Sequence, residues 1–514
     1  MTPSFWFILK QSEVHTMEHQ SSFWEEINTP IDYPSINEDK NVEVCIIGGG
    51  LTGLSTAYYL SKTLKNVMLV DANKIGQGAS GRSTGKVSSL HGCIYHSLIS
   101  IHGKDKAYAY YEANEEAIHS IEAIIKENSI ECNYRRGKAI TYAETVEKTA
   151  MIADEIEALE ALDIPFEIMR QEQFPHCLFG VCFNRQGMFD PYAYALGLSR
   201  ACDKQGVIIY ENSPLTEMDG HDLIINHHCV HADTIIYATQ VPLFNAKHFY
   251  FTLMTPYQSS LCVIKTEHEI DEMFINCESP TKTSRTLPHN HEAYLMVGGY
   301  EHKTGDNHTT YETELLRFIE NQYPNQPVLS CFSSQDLKTH DHLPLIGMLG
   351  DDPNILFATG YNKWGNTNSN IAGKLLTAMV LKAPTPLKGL FDPHRSTLVF
   401  NQQFLKENLA VGVSWIQSKM MQADQPLPGI NEATTLLISN HPYGVYRNEQ
   451  GELLYVDLIC PHLGCTLSFN ESEKTWDCPC HGSRFDVTGE IIKGPAIRHL
   501  NDCNEVFNKV DPKL

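Results

Sequence analysis

Residues 42–47, VEVCII, form an apolar run without alternation, as expected of a strand buried on both faces of a parallel sheet. GGGLTG follows at once. Beyond it, LSTAYYLSKTLKN sets Leu54, Ala57, Tyr58 and Ser61 on one helical face, and VMLVD then reads as a second buried strand ending at Asp71. Strand, glycine turn, helix and strand make a βαβ unit, which commits this part of the chain to an α/β layer. Gly48, Gly50 and Gly53 supply the G-x-G-x-x-G spacing. The first allows a tight turn, the second lets backbone approach a pyrophosphate, and the third lets helix pack on strand. Asp71 stands where a carboxylate accepts ribose hydroxyls. The unit predicts a dinucleotide site, with NAD and FAD both open at this point.

At 514 residues the chain exceeds one hydrophobic core, so two or three domains are expected. Its 39 Lys and Arg against 62 Asp and Glu give a net charge of −23, which repels phosphate backbones and anionic membranes and argues against a nucleic-acid partner. No stretch approaches the ~20 continuous apolar residues of a membrane-spanning helix. The opening MTPSFWFILKQSEVHTMEHQ holds only a short apolar patch and no twin arginine. Eleven of the 15 cysteines occur singly, as in a reducing compartment, and the expected location is cytoplasmic.

From about 210 to 345 the texture changes to short β-rich segments such as LIINHHCVHADTIIYAT, SSLCVIK and AYLMVGGY. They predict a second, more antiparallel layer able to roof a flavin. KAPTPLKGLFDPHR closes the large unit. Leu405, Leu409, Val413, Ile416 and Met420 then recur at helical spacing, predicting an amphipathic helix over 402–421 that DQPLPG stops. The expected division is an N-terminal extension, 1–39; an oxidoreductase unit, 40–395; a helical linker, 396–425; and a strand-rich domain, 426–514.

Residues 76–92, GQGASGRSTGKVSSLHG, bear on the choice of nucleotide. They resemble the glycine- and serine-rich loop of the FAD-dependent D-amino-acid-oxidase family of amine and amino-acid oxidases. MFDPYAYALGL, TIIYATQVP, HDHLPLIG and NILFATGYNKWGNTNS extend the resemblance over most of 40–395. It implies a Rossmann-type FAD-binding domain with an antiparallel β-rich substrate domain. It also implies that Gly78, Ser80, Arg82, Ser83 and Gly85 run along the FAD pyrophosphate and toward the flavin ring. Gly360 and Gly365 would bring backbone N–H groups near that ring. Gln240 departs from the glycine of many relatives.

CPHLGCTLSFNESEKTWDCPCHGSRFD, residues 460–486, packs four cysteines and two histidines together. Cys460 and His462 form C-x-H, and after fifteen intervening residues Cys478 and His481 form C-x-x-H. A structural zinc takes four ligands, which leaves two cysteines idle. The spacing, with CPHLGC, CPCHGS and GPA in order, resembles Rieske 2Fe-2S domains over about 426–510, small all-β units. There two thiolates hold one iron and two imidazoles the other, raising the potential above that of all-thiolate clusters. In the subgroup related to respiratory and photosynthetic cytochrome complexes the extra pair is a disulfide, here Cys465 and Cys480 by match. Ser483 matches a serine that hydrogen-bonds the cluster. Phe485 stands where high-potential relatives carry a tyrosine, so a lower potential is expected.

His91 and Cys93 follow the flavin loop, where some relatives attach flavin covalently, although structural roles are the simpler reading. Tyr257, Tyr300, His302, Tyr361, Lys363 and Trp364 fall in segments that relatives place near flavin or substrate; core or surface packing accounts for each equally well. No catalytic base is assigned. The resemblance implies an FAD-dependent dehydrogenase acting on a C–N bond of an amine or amino acid, passing electrons through FAD and the 2Fe-2S cluster to an external acceptor. A reductase feeding a partner through the Rieske centre is one alternative, weakened by the lack of a second G-x-G-x-x-G after a strand. A non-catalytic redox sensor is another.

Overall fold

The apolar strand at the start of the chain becomes the middle of a sheet. In a computed structural model that describes residues 21–172, 176–243, 250–306, 311–398, 426–439, 441–504 and 507, Lys40–Ile47 pairs in parallel with Val67–Val70 on one side and His228–Tyr237 on the other. The sheet continues outward to Ile208–Tyr210 and to Ile355–Thr359 with Leu345–Met348. Val44, Cys45 and Ile46 are buried, which is why the run lacks polar alternation; Val44 and Ile46 each contribute about 1.5–3 kcal/mol. The helix Leu51–Ser61 lies against the helix Gly365–Val380, close enough that a Cβ on Gly373 would sit 2.8 Å from Ser55 backbone.

A second sheet runs Val328–Thr339, Met254–Thr266, Glu292–Lys303, Lys282–His289, Glu272–Asn276, Arg135–Ala143, Phe179–Met188 and Lys86–Val87. The second layer expected over 210–345 is corrected in two ways. LIINHHCVHADTIIYAT belongs to the first sheet, because His228–Tyr237 follows Lys40–Ile47 in parallel register. Strands from 86 to 188 complete the second. Alternation identifies a strand but carries nothing about its partner.

The described part of the N-terminal extension is built into the large unit. Ser22 caps the helix Phe23–Ile27 in a reciprocal pair with Glu25 and donates its hydroxyl to Gly81 O at 2.5 Å. The buried Trp24 indole donates to Ser83 O at 2.8 Å. The helix predicted over 402–421 lies outside the described residues.

Cys262 and Cys331, two of the eleven cysteines read as single, are disulfide-bonded. They face each other across the antiparallel pair Met254–Thr266 and Val328–Thr339, a proximity that 69 residues of separation conceal. The expectation of a reducing compartment, drawn from isolated cysteines, loses that support. No helix among the described residues is long and apolar enough to cross a membrane.

Asp341, in the HDHLPLIG segment, is buried in an ion pair with Arg395, whose Nε and Nη2 each donate at 2.6 Å; Thr397 Oγ1 adds a bond at 2.7 Å. Burial works against the carboxylate, yet the Arg395 bonds and charge outweigh it and hold Asp341 below the usual carboxylate range. Its contribution is therefore complete above the unfolded pKa of about 3.9 and is lost as pH falls through the lower folded value. Arg395→Met should cost about 3–5 kcal/mol at pH 7, measured by urea unfolding, and the loss should shrink as Asp341 is neutralised.

The C-terminal unit consists of two small antiparallel sheets. Ala433–Ile438, His441–Arg447 and Leu453–Asp457 form one; Ser468–Asn470, Thr475–Asp477, Arg484–Phe485 and Ile491–Lys493 form the other. Trp476 and Phe485 fill the core between the ligand loops, and a Cβ on Gly444 would sit 2.6 Å from the Trp476 ring.

Candidate active site and metal centre

At the nucleotide end the glycines are required by backbone contacts. Gly48 has φ +110°, and a Cβ there would fall 2.8 Å from Ala238 O; a Cβ on Gly53 would fall 1.9 Å from Gly48 O. Gly50 begins the helix Leu51–Ser61, and Leu51 N–H donates to Ser80 Oγ at 3.0 Å, tying the flavin loop to the helix N-terminus. Asp71 Oδ2 accepts from Gly49 N–H and Oδ1 from Asn73 N–H, both at 2.7 Å. Burial raises the Asp71 pKa while those two bonds oppose it.

A cavity of about 420 Å³ opens beside this turn. Ser80, Arg82, Ser83, Gly360 and Gly365 line it, as do His91, Cys93, Tyr361, Lys363 and Trp364. Gly48, Gly50, Gly53, Asp71, Gly78, Gly85, Tyr257, Tyr300 and His302 are not part of the lining. Gly85 instead lets the chain pass Phe189, where a Cβ would meet carbonyl oxygen at 2.2 Å, and its own carbonyl accepts from Arg285 Nη1 at 2.9 Å. Arg82 reaches Ser333 O at 3.4 Å. Tyr257 lies under Lys338, and His302 stacks on Tyr311 at 4.1 Å. Gln240 also lines the cavity and donates to Gln335 O, so its side chain braces a wall strand. A glycine cradle, a helix N-terminus and a strand-end carboxylate fit the dinucleotide half of FAD, with the cavity beyond them for the ring.

His91 is fully engaged. Nε2–H donates to Ser88 O at 2.6 Å, Nδ1 faces Tyr110 Oη at 2.7 Å, and the ring stacks on Trp364 at 4.3 Å. Burial pulls its pKa down to about 3, so it is neutral. Cys93 hydrogen-bonds Cys277, which raises the Cys93 pKa and lowers that of Cys277, while Cys277 Sγ donates to Tyr142 O at 3.1 Å.

Four ionisable groups at the cavity escaped the sequence reading. Lys86 is buried, donating Nζ to Phe274 O at 2.6 Å and to Thr283 Oγ1; burial, with Arg285 nearby, brings its pKa down to about 7. Glu301 is bridged by Lys338 and Lys363, whose charges overcome its burial and hold it below the usual range. Asp336 is raised by burial. A lysine inside GRSTGKVSS was the available signal for Lys86; the other three converge only through the sheet.

In the C-terminal unit each ligand loop is closed by backbone bonds. Cys460 N–H donates to Cys465 O at 2.8 Å and Cys478 N–H to Ser483 O at 2.8 Å. Cys465 and Cys480 are bonded, which joins the loops and accounts for two of the three sulfurs that crowd there with Cys478. The other four groups come in two pairs, Cys460 hydrogen-bonded to Cys478 and His462 beside His481. The His462 and His481 rings are 5.1 Å apart, and neither buried Nδ1 has a partner among the described residues. Burial brings His462 down to about 4 and His481 to about 3, leaving both imidazoles neutral, as metal binding requires. Cys460 is brought down to about 7, first by a hydrogen bond from Cys478, with Ser483 and backbone N–H groups adding to it and burial opposing. Two thiols and two orphaned imidazole nitrogens fit a Cys₂His₂ iron–sulfur ligand set.

Ser483 Oγ also accepts from Ala496 N–H at 3.0 Å, so the GPA segment fixes the serine that bonds Cys460. Phe485 is buried among the ligand loops and offers no donor. Phe485→Tyr is expected to raise the cluster potential within the Rieske window of about −150 to +300 mV by adding a donor near a ligand sulfur. Redox titration followed by circular dichroism measures it; a fall in potential contradicts the electrostatic argument.

Fold and sites together define a flavin-dependent oxidoreductase joined to an iron–sulfur electron carrier. The profile of the FAD dependent oxidoreductases (DAO) matches residues 43–379 and that of the Rieske [2Fe-2S] domain matches residues 418–504. The chain belongs to the DAO family of FAD-dependent oxidoreductases and carries a C-terminal Rieske domain, so its cofactors are FAD and a 2Fe-2S cluster. It is 32% identical over 500 residues, 95% of this chain and 98% of the relative, to a Bacillus subtilis (strain 168) protein that carries the name Rieske 2Fe-2S iron-sulfur protein YhfW. It is 24% identical over 401 residues, 71% of this chain and 89% of the relative, to gamma-glutamylputrescine oxidoreductase of Escherichia coli (strain K12). Among solved structures, glycine oxidase from Geobacillus kaustophilus has the same fold over 69% of this chain and 99% of its own, with a TM-score of 0.58 at 16% identity.

Proposed function

We propose that the chain oxidises a C–N bond of an amine or amino acid in the cavity and passes the electrons through the Rieske domain to an external acceptor. The observation that carries this reading is the parity of one strand. Ser334, Asp336 and Lys338 of Val328–Thr339 line the cavity, while Ser333 and Gln335, between them, bond Glu473 and Gly482 of the Rieske domain. A single sheet layer therefore has a substrate face and a Rieske face. When bound, FAD accepts two electrons and a 2Fe-2S cluster carries one at a time.

The protein groups prepare the cavity for that chemistry. Lys86 places a buried ammonium, or at higher pH an amine, at its wall, and the Lys338–Glu301–Lys363 bridge sets a fixed charge pattern opposite the flavin loop. Oxidation of the C–N bond to an imine removes two electrons and two protons from the substrate. The names of relatives and neighbours, gamma-glutamylputrescine oxidoreductase and glycine oxidase, concern substrates with such bonds.

Anaerobic mixing with a panel of amines and amino acids should bleach the flavin absorbance with at least one of them, followed by loss of the cluster's visible bands. A flavin that no member bleaches sinks the C–N assignment and favours the redox-sensor reading.

A further inference from the structure

The histidine ligand loops of the Rieske domain are seated against the large domain. Phe251, 8% exposed, meets both rings edge to face, with centroids 4.8 Å from His462 and 4.4 Å from His481. Gln335, buried, donates Nε2–H to Gly482 O at 2.9 Å, one residue beyond His481, and to Thr304 Oγ1 at 3.1 Å. Two glycines make the approach possible. Gly482 has φ +80°, and a Cβ there would fall 2.5 Å from Gln335 Nε2; Gly305 has φ +83°, and a Cβ there would fall 2.6 Å from Pro479 Cα, between Cys478 and Cys480. The close fit is thus specified from both domains.

We propose that Phe251 and Gln335 form an intrachain dock that holds the imidazole edge of the cluster site against the reverse of the cavity wall, making that edge the electron-entry face. The proposal rests on the reading of the cavity as the flavin site. Asp336 lines the cavity and Gln335, its neighbour in the chain, bonds the ligand loop, so one peptide unit separates the two sites along the backbone. Across the layer a single sheet thickness separates them. Phe251 and Gln335 are positioning residues: neither reaches a reacting atom, and both fix where His462 and His481 stand. An acceptor in solution then meets a different side of the Rieske domain.

The test uses the full chain carrying both cofactors and needs no substrate. A flash-generated deazaflavin radical reduces the flavin, and loss of the cluster's visible absorbance follows the intramolecular step. Hydrogen exchange of 460–465 and 478–483 reports docking, and the paramagnetic resonance of the dithionite-reduced cluster reports its integrity. Phe251→Ala and Gln335→Ala are each expected to slow the intramolecular step by about tenfold or more and to raise exchange in both loops, with the resonance unchanged, since even ~1 Å of misplacement costs up to 100-fold in positioned chemistry. Phe251→Tyr, which keeps the ring, should retain the parent rate. An unchanged rate in both alanine variants overturns the dock. Absence of any intramolecular step in the unaltered protein overturns the dock together with the flavin-site reading, whereas failure of the amine panel leaves this readout untouched and overturns the substrate assignment alone.

Discussion

Cys478→Ser is expected to yield a folded flavoprotein that takes electrons from its substrate and fails to deliver them. Cys478 is proposed as one of the two thiolate ligands, and its loop stays closed after the change, because Cys478 N–H still donates to Ser483 O and Cys465 remains bonded to Cys480. Iron content should fall from about two per chain toward zero, since a hydroxyl is a poor replacement for a thiolate ligand. Every residue that lines the cavity lies before residue 370, and none belongs to the ligand loops. Anaerobic substrate should therefore bleach the flavin at the parent rate. Steady-state turnover with a one-electron acceptor should drop by about 100-fold or more, the upper end of what disturbing a metal site commonly costs. Stopped-flow absorbance follows both steps. Turnover that survives loss of the iron takes the Rieske domain off the electron path and leaves it a sensory or structural role.

How much of this was legible in the chain differs sharply between the two sites. The metal centre is local. Its four proposed ligands and its disulfide come from two short loops, so residue spacing alone singles out Cys460, His462, Cys478 and His481 as the candidate set. The nucleotide turn is local as well: Gly48, Gly50 and Gly53 act through the strand and helix they join. The cavity wall is different. Lys86, Glu301, Asp336 and Lys338 come from three strands of one sheet, and Glu301 meets Lys363 only because Glu292–Lys303 and the segment after Ile355–Thr359 converge on the cavity. Strand pairing over such separations leaves no periodic trace. The same holds for Cys262 and Cys331, and for the assignment of His228–Tyr237 to the first sheet. Phe251 was hidden for another reason: an aromatic residue in an apolar segment reads as core, and only the docked domain shows that its ring meets His462 and His481, the histidines proposed to hold iron.

Gly53→Ala should abolish FAD retention while leaving the Rieske centre loaded. The added methyl would sit 1.9 Å from Gly48 O and 3.3 Å from Ile46 Cγ2, against backbone on one side and a buried strand on the other. No rotamer change relieves a Cβ clash, so the helix Leu51–Ser61 must move off Lys40–Ile47, and with it the N–H groups proposed to face the pyrophosphate. Overpacking of this kind costs about 1–3 kcal/mol, and a 3 kcal/mol loss falling on cofactor affinity is a factor of about 100 in Kd. Gly78→Ala is the matched control. Gly78 has φ +77°, and nothing lies within 4 Å of where its Cβ would be, so the change carries only the backbone penalty of about 1–2 kcal/mol in a loop that can adjust. The flavin-to-iron ratio of the purified proteins reads the contrast directly, because the Rieske domain lies after residue 417 and its cluster serves as an internal count of folded chains. The expected result is a ratio near zero for Gly53→Ala and near the parent value for Gly78→Ala. Equal ratios in the two variants would show that FAD is not held by the Gly48 to Gly53 turn, and would move the nucleotide away from Asp71, the residue proposed to take its ribose.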